Sequence, residues 1–191
     1  GIYNERVEIR LDNVTLKGES AKDTIITNNY YARMIMDDGI KRGTFRSYTF
    51  FVNANHFRAS DITFENSSGF GLDVGQAVDV YKRQCYICGE IDFIFGSATA
   101  YFKNCELYAL NRNEKINSYY TAPSTYSNQK YGYVFDHCRL TGNCPDRTVM
   151  LSRPWRIYAK AVFLNCEMSG QITETGFSDW NKEESHDTCY Y

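Results

Sequence analysis

The chain has 191 residues, with 21 basic and 23 acidic side chains and three histidines for a formal charge of −2. That length suits one domain, read here as residues 1–191, and the balanced charge leaves no surplus to attract nucleic acid or a membrane surface. No apolar run approaches the roughly 20 residues that a membrane-spanning helix needs, and three Pro, 13 Gly, 16 Tyr and 12 Phe favour strands divided by tight turns.

Taken in chain order, the apolar runs are short and regularly interrupted. "RVEIRL", "VTLKGE", "TIITNN", "YTFFVNA" and "DITFEN" lead from Arg6 to Asn66, each bounded by Gly, Asn, Asp or Ser, which is strand-and-turn punctuation without helical periodicity. "GQAV" (Gly75–Val78) and "DFIFG" (Asp92–Gly96) follow. Then come three related segments, "FKNCEL" at 102, "FDHCRL" at 135 and "FLNCEM" at 163, whose starts lie 33 (135 minus 102) and 28 (163 minus 135) residues apart. That period belongs to solenoids.

Within each copy, strict alternation fails once, at Asn104, His137 and Asn165. Asn and His tolerate the left-handed backbone region better than most residues, so each copy reads as strand, corner, strand. Short strands joined by tight corners and repeated each turn predict a parallel β-helix, with Phe, Cys and Leu stacked in interior ladders. A sandwich of antiparallel hairpins would call for Asn-Gly or Asp-Gly two-residue turns, and the turns here are of another kind. The seven cysteines, at 85, 88, 105, 138, 144, 166 and 189, are mostly expected as small core residues. Cys85 and Cys88 have CxxC spacing, but no second pair completes a metal set.

Asp92 is the chemical anomaly. It opens an Ile- and Phe-rich run where an unpaired carboxylate would be costly to bury, and such surroundings raise its pKa unless a cation keeps it ionised. Arg153, in "LSRPW", is the expected partner, because a guanidinium grips a carboxylate through two parallel hydrogen bonds. A carboxylate held in that way can attack an ester carbonyl, and the amide of Gln76 can donate to the oxygen that gains charge. Trp155, Phe95 and the tyrosines offer flat platforms for sugar rings. Read singly, Thr44, Gln76, Arg153 and Trp155 could each be an ordinary surface or strand residue.

Together, "GIYNERVEI", "GTFR", "DITFENSSG", "GQAV", "DFIFGSATAYFKNC", "YGYVFDHCRL", "LSRPWRIYAKAVFLNCEM" and "TGFSDW" resemble the landmarks of the pectin methylesterase (pectinesterase) family along nearly the whole chain. The resemblance implies an all-β, right-handed parallel β-helix of the pectin-lyase-like kind, and hydrolysis of the methyl esters of polygalacturonate without metal or cofactor. It makes Asp92 the nucleophile, Arg153 its orienting cation and Gln76 an oxyanion donor. Thr44, Phe95 and Trp155 become substrate contacts. Pectin is the implied partner, the chain is expected to act as a monomer, and its location, inferred from the substrate, is extracellular or periplasmic.

The pattern breaks in one place. The family carries a second catalytic aspartate in a "YQDTLY"-like stretch between "GQAV" and "DFIFG", yet here only 16 positions (92 minus 76) separate Gln76 from Asp92. About one coil is therefore expected to be missing near residues 79–84, at a junction around "VYKRQ", and the helix is expected to be truncated at both ends. Lys82 stands where the other copies have Phe. Asp73 and Asp79 are the nearest carboxylates that could replace the absent acid. A non-catalytic pectin-binding β-helix is the rival reading, and a pectate lyase would need a calcium cage of clustered acids that the sequence does not display.

Overall fold

The computed structural model describes residues 1–68, 82–83 and 85–191, with backbone alone for Thr44, Lys82 and Arg83. Gln76, Asp73 and Asp79 lie outside the described residues. All the paired strands run parallel, in three stacks that form the faces of a β-helix.

The first sheet contains Ile2–Asn4, Ile25–Asn28, Thr63–Asn66, Tyr86–Gly89, Glu106–Ala109, Arg139–Gly142 and Glu167–Met168. The second contains Thr15–Lys17, Arg58–Ser60, Lys82–Arg83, Ala100–Lys103, Tyr133–Asp136 and Ala161–Leu164. The third face is in two described pieces, Val7–Ile9 beside Phe50–Val52, and Ile94–Gly96 beside Ser118–Pro123 and Val149–Ser152. Among the described residues the chain visits the faces in turn, adding strands to the stacks coil by coil. Helix is confined to a turn of 3-10 helix at Thr44–Arg46 and one turn of α-helix at Ser185–Thr188 among the described residues.

The repeat turns into ladders. Phe102, Phe135 and Phe163 occupy one register position on successive strands, and their rings stack nearly flat at 4.6 and 4.7 Å between centroids. Ile26, Phe64, Ile87, Leu107, Leu140 and Met168 form a second column on the first sheet. Between these columns the chain turns the corner at Asn104, His137 and Asn165, each with φ of +52°. The left-handed corner follows from the residue type, since Asn and His enter that region more readily than most residues.

Cysteines follow the corners inward. Cys138 Sγ donates to the Phe102 carbonyl at 3.5 Å and Cys166 Sγ to that of Phe135 at 3.4 Å, so each thiol satisfies itself on the coil before it. Cys85 belongs to the main core cluster while Cys88, three residues on, is buried apart from it, which separates the two members of the CxxC.

At the expected junction, the backbone of Lys82 pairs with Ala59 on one side and Phe102 on the other. Lys82 thus holds the register of the Phe column. The first two faces run on past this point.

Candidate active site

Asp92 sits where the chain leaves the first face for the third. The strand Tyr86–Gly89 ends at a glycine because a Cβ there would come within 2.4 Å of the Cβ of Phe93, a distance real side chains do not reach. Three residues later Asp92 takes φ of +51°, and its backbone N–H donates to the Tyr119 carbonyl at 2.8 Å. Phe93 and Ile94 then fill the core with no exposed surface.

The carboxylate meets Arg153, which follows the strand Val149–Ser152 two coils away. Arg153 Nε donates to Asp92 Oδ1 at 2.8 Å and a terminal guanidinium nitrogen to Oδ2 at 2.6 Å. The Asp92 side chain is only 9% exposed and that of Arg153 15%. Both donors are used in parallel, the arrangement a rigid fork makes with a carboxylate. Burial pushes the Asp92 carboxyl above the ordinary aspartate range, and the bonds and charge of Arg153, with the charge of Arg112, pull it back in part. The net direction is upward, giving a more basic carboxylate than one in water.

Arg153 is held from both sides. Its guanidinium lies 4.2 Å from the ring centre of Tyr119 and 3.9 Å from that of Trp180, so two aromatic faces confine the plane of the fork. Tyr119 thus fixes the acid through its carbonyl and the cation through its ring. Lys182, which also lies over Trp180, donates through Nζ to the carbonyls of Pro154 and Trp155 at 2.6 and 2.8 Å. The segment from Ser178 to Lys182 therefore clasps the "RPW" turn.

An aromatic platform adjoins the pair. Trp155 packs edge-on against Phe95 at 4.8 Å, Phe45 meets both at 5.6 and 6.0 Å, and Trp180 meets Trp155 at 5.5 Å. Phe45 is largely exposed. Thr44 opens the short 3-10 turn that delivers Phe45, though its side chain, expected to contact substrate, lies outside the described residues. The structure brings together Asp92, Arg153, Phe95 and Trp155. Phe45, Tyr119, Trp180 and Lys182 were not singled out from the sequence. Trp180 had a visible signal in "TGFSDW", whereas Tyr119 hides in the ordinary alternation of "SYYTAP".

Comparison with known proteins bears on the chain as a whole. The family model described as Pectinesterase matches residues 1–81 and 76–191. Pectinesterase 31 of Arabidopsis thaliana is 31% identical over an alignment covering the whole chain and 69% of the relative. Pectinesterase 2 of Citrus sinensis is 28% identical, again over the whole chain but only 42% of the relative, so the chain spans less than half of that protein's length. Its alignment runs over 223 positions for 191 residues, which leaves about 32 (223 minus 191) with no residue of this chain opposite. Among solved structures, a pectin methylesterase from carrot matches with a TM-score of 0.76 at 25% identity, covering the whole chain and 69% of the carrot protein. A pectin methylesterase in complex with a hexasaccharide matches with 0.74 at 29% identity, covering 90% of this chain and 69% of the other. No described helix is long and apolar enough to cross a membrane.

Proposed function

Because the chain belongs to the pectinesterase family, we propose that its groove is built to hydrolyse the methyl esters of polygalacturonate, with Asp92 as nucleophile. The observation that carries this reading is the bidentate Asp92–Arg153 pair set against an aromatic platform. An Asp92 oxygen attacks the ester carbonyl carbon, the carbon–methoxy bond breaks with protonation of the leaving oxygen, and water then hydrolyses the acyl–enzyme anhydride to restore the carboxylate. Arg153 keeps Asp92 ionised and aimed for the attack. Gln76 donates to the carbonyl oxygen as it gains charge, while Thr44, Phe95 and Trp155 bear on the sugar rings. No cofactor takes part, pectin is the partner, the chain works as a monomer, and the site of action is outside the cytoplasm, where the polymer is found.

The proton for departing methanol is the weak point. The family's second aspartate has no counterpart between "GQAV" and "DFIFG", and we place there the coil that about 32 unmatched positions of the citrus alignment call for. General acid catalysis is worth roughly 10²- to 10⁴-fold, so turnover by this chain falls at least about 100-fold below that of a version carrying the coil.

The test is methanol release from highly methylated pectin, comparing the chain with a variant into which a "YQDTLY"-type coil is inserted after Val78. Release by the restored variant alone supports both the esterase reading and the missing acid. Equal release by both shows that another group supplies the proton. Binding of pectin with no release from either leaves the non-catalytic pectin-binding reading in possession.

A further inference from the structure

The cysteines that follow the corners inward form a column of their own, which the proposed ester chemistry does not use. Arg83, Lys103, Asp136 and Leu164 share one register position on successive coils, and Tyr86, Glu106, Arg139 and Glu167 share another. Between those positions stand Cys85, Cys105, Cys138 and Cys166, each two residues past the first and one before the second. The four therefore stack coil on coil. Neighbours in paired strands lie about 4.8 Å apart, a separation that a disulfide can span.

One end of the column is open. Cys85, Cys105 and Cys138 are at most 2% exposed, whereas Cys166 is partly exposed, and no described strand stacks beyond Ala161–Leu164 and Glu167–Met168, which flank it. A reagent therefore meets the column at Cys166. A hydrogen bond from Cys138 pulls the Cys166 thiol down to about 7, against the effect of burial, so much of it is thiolate at neutral pH, the form that attacks sulfur. Cys144 and Cys189 are also partly exposed, but burial pushes the first up to about 11 and raises the second, and neither belongs to the column.

We propose that Cys138 and Cys166 are a site of thiol–disulfide exchange with small-molecule disulfides, and that the bond they form staples the coil that carries Arg153. The Cys166 thiolate attacks one sulfur of the small disulfide, a new S–S bond forms at Cys166, and the other half leaves as a thiolate. Against the pull of its bond with Cys105, the Cys138 thiol is pushed up to about 12 by its bond to Cys166 and by burial, and consuming the Cys166 thiolate removes the first of those two. Cys138 then attacks the Cys166 sulfur, its proton passes to the departing half, and the bond closes. Two cysteine thiols are oxidised to one disulfide while the small disulfide is reduced to two thiols. The closed loop, residues 138–166, contains Arg153 and Trp155.

The test is exposure of the folded, fully reduced chain to oxidised glutathione, read by intact mass and peptide mapping. Wild type should lose two hydrogens, keep no glutathione on Cys166, and show the Cys138 peptide joined to that of Cys166. C138S should hold one glutathione on Cys166, because the second step has lost its attacker. C166S should leave Cys138 reduced, since the reagent enters at Cys166. Closing the loop should raise the thermal midpoint of wild type by roughly 5 to 10 °C over its reduced form, while glutathione-bearing C138S gains nothing. The wild-type map decides even where a serine variant folds poorly. Glutathione persisting on Cys166 of wild type, a link from Cys138 to any other cysteine, no reaction of the folded wild type, or a joined pair with an unchanged midpoint each overturns the proposal.

Discussion

Two regions of this β-helix are made by opposite means. The Phe102–Phe135–Phe163 column is one solution repeated: each ring rests on its copy a coil away, and each strand position reproduces its neighbour's register. The Asp92 site contains nothing repeated. Its acid comes from one coil, the aromatic and carbonyl of Tyr119 from the next, Arg153 from the third, and Trp180 from a segment beyond them. Repetition distributes stability among equivalent contacts, while the site concentrates it in a few contacts that have no substitutes.

The sharpest way to test that contrast is to cut each region at its middle. Phe135 is fully buried between two rings, and Phe135→Ala should cost about 4 kcal/mol, as large aromatic-to-alanine changes in cores do. Phe163, only half-buried, should cost about half as much, since its cavity opens to solvent. Urea denaturation of the two variants gives the comparison, and equal losses would mean that the column is not a graded stack. Arg153→Ala should cost about 3 kcal/mol, because it leaves the Asp92 carboxylate buried without its cation. Asp92→Asn in the Arg153→Ala background should return part of that loss by removing the stranded charge, a recovery no ladder double variant would show.

The same pair sets a pH dependence. Folding raises the Asp92 pKa, so between the unfolded and the folded value the folded chain holds the extra proton, and stability falls as pH rises through that window. Below both values the group contributes nothing. If Asp92 attacks as proposed, the ionised form is the one that reacts, so methanol release by the coil-restored variant should fade, on acidification, at a pH above the ordinary aspartate range. Carbon-13 titration of the Asp92 carboxyl reads the midpoint directly. In Arg153→Ala it should move higher still, since Arg153 is what pulls it down; a downward move would contradict the account of how the pair is held.

The contrast also explains what could be read in the sequence. The β-helix was legible because "FKNCEL", "FDHCRL" and "FLNCEM" state the same coil three times, and one irregularity in the alternation located the corner at Asn104, His137 and Asn165. Asp92 was legible because a carboxylate in "IDFIF" contradicts its surroundings. Tyr119 was not, because a tyrosine in a β-strand contradicts nothing; its work lies in what two other coils place against it. Trp180 and Lys182 stand 27 and 29 residues from Arg153 (180 minus 153, 182 minus 153), and only the closing of the coils brings them onto the "RPW" turn.

Trp180→Leu is the next smaller effect. It removes one aromatic face from the Arg153 guanidinium and should cost about 1 kcal/mol through the lost cation–π contact. Its distinguishing sign is the Asp92 titration. A loosened fork lowers the carboxyl pKa less well, so the midpoint should rise in Trp180→Leu and return toward wild type in Trp180→Phe, which keeps a ring there. A loss of stability with an unmoved midpoint would reduce Trp180 to packing alone.

Effects of that size or smaller belong to the repeated region. Asn104 holds φ of +52°, and Asn104→Ala places a side chain less tolerant of that region there, at a cost of about 1 kcal/mol. Asn104→Gly should lie within a few tenths of wild type, because glycine adopts the same backbone freely while its unfolded chain has more freedom to lose. His137, in the same geometry one coil on, should give the same pair of results if the corners are equivalent. Asp92, at +51°, provides the control that joins the two regions: Asp92→Gly removes the left-handed strain yet also strands the Arg153 charge, so a net loss there beside near-neutral glycine at the corners would show the same backbone geometry serving a repeated turn in one place and a single ion pair in the other.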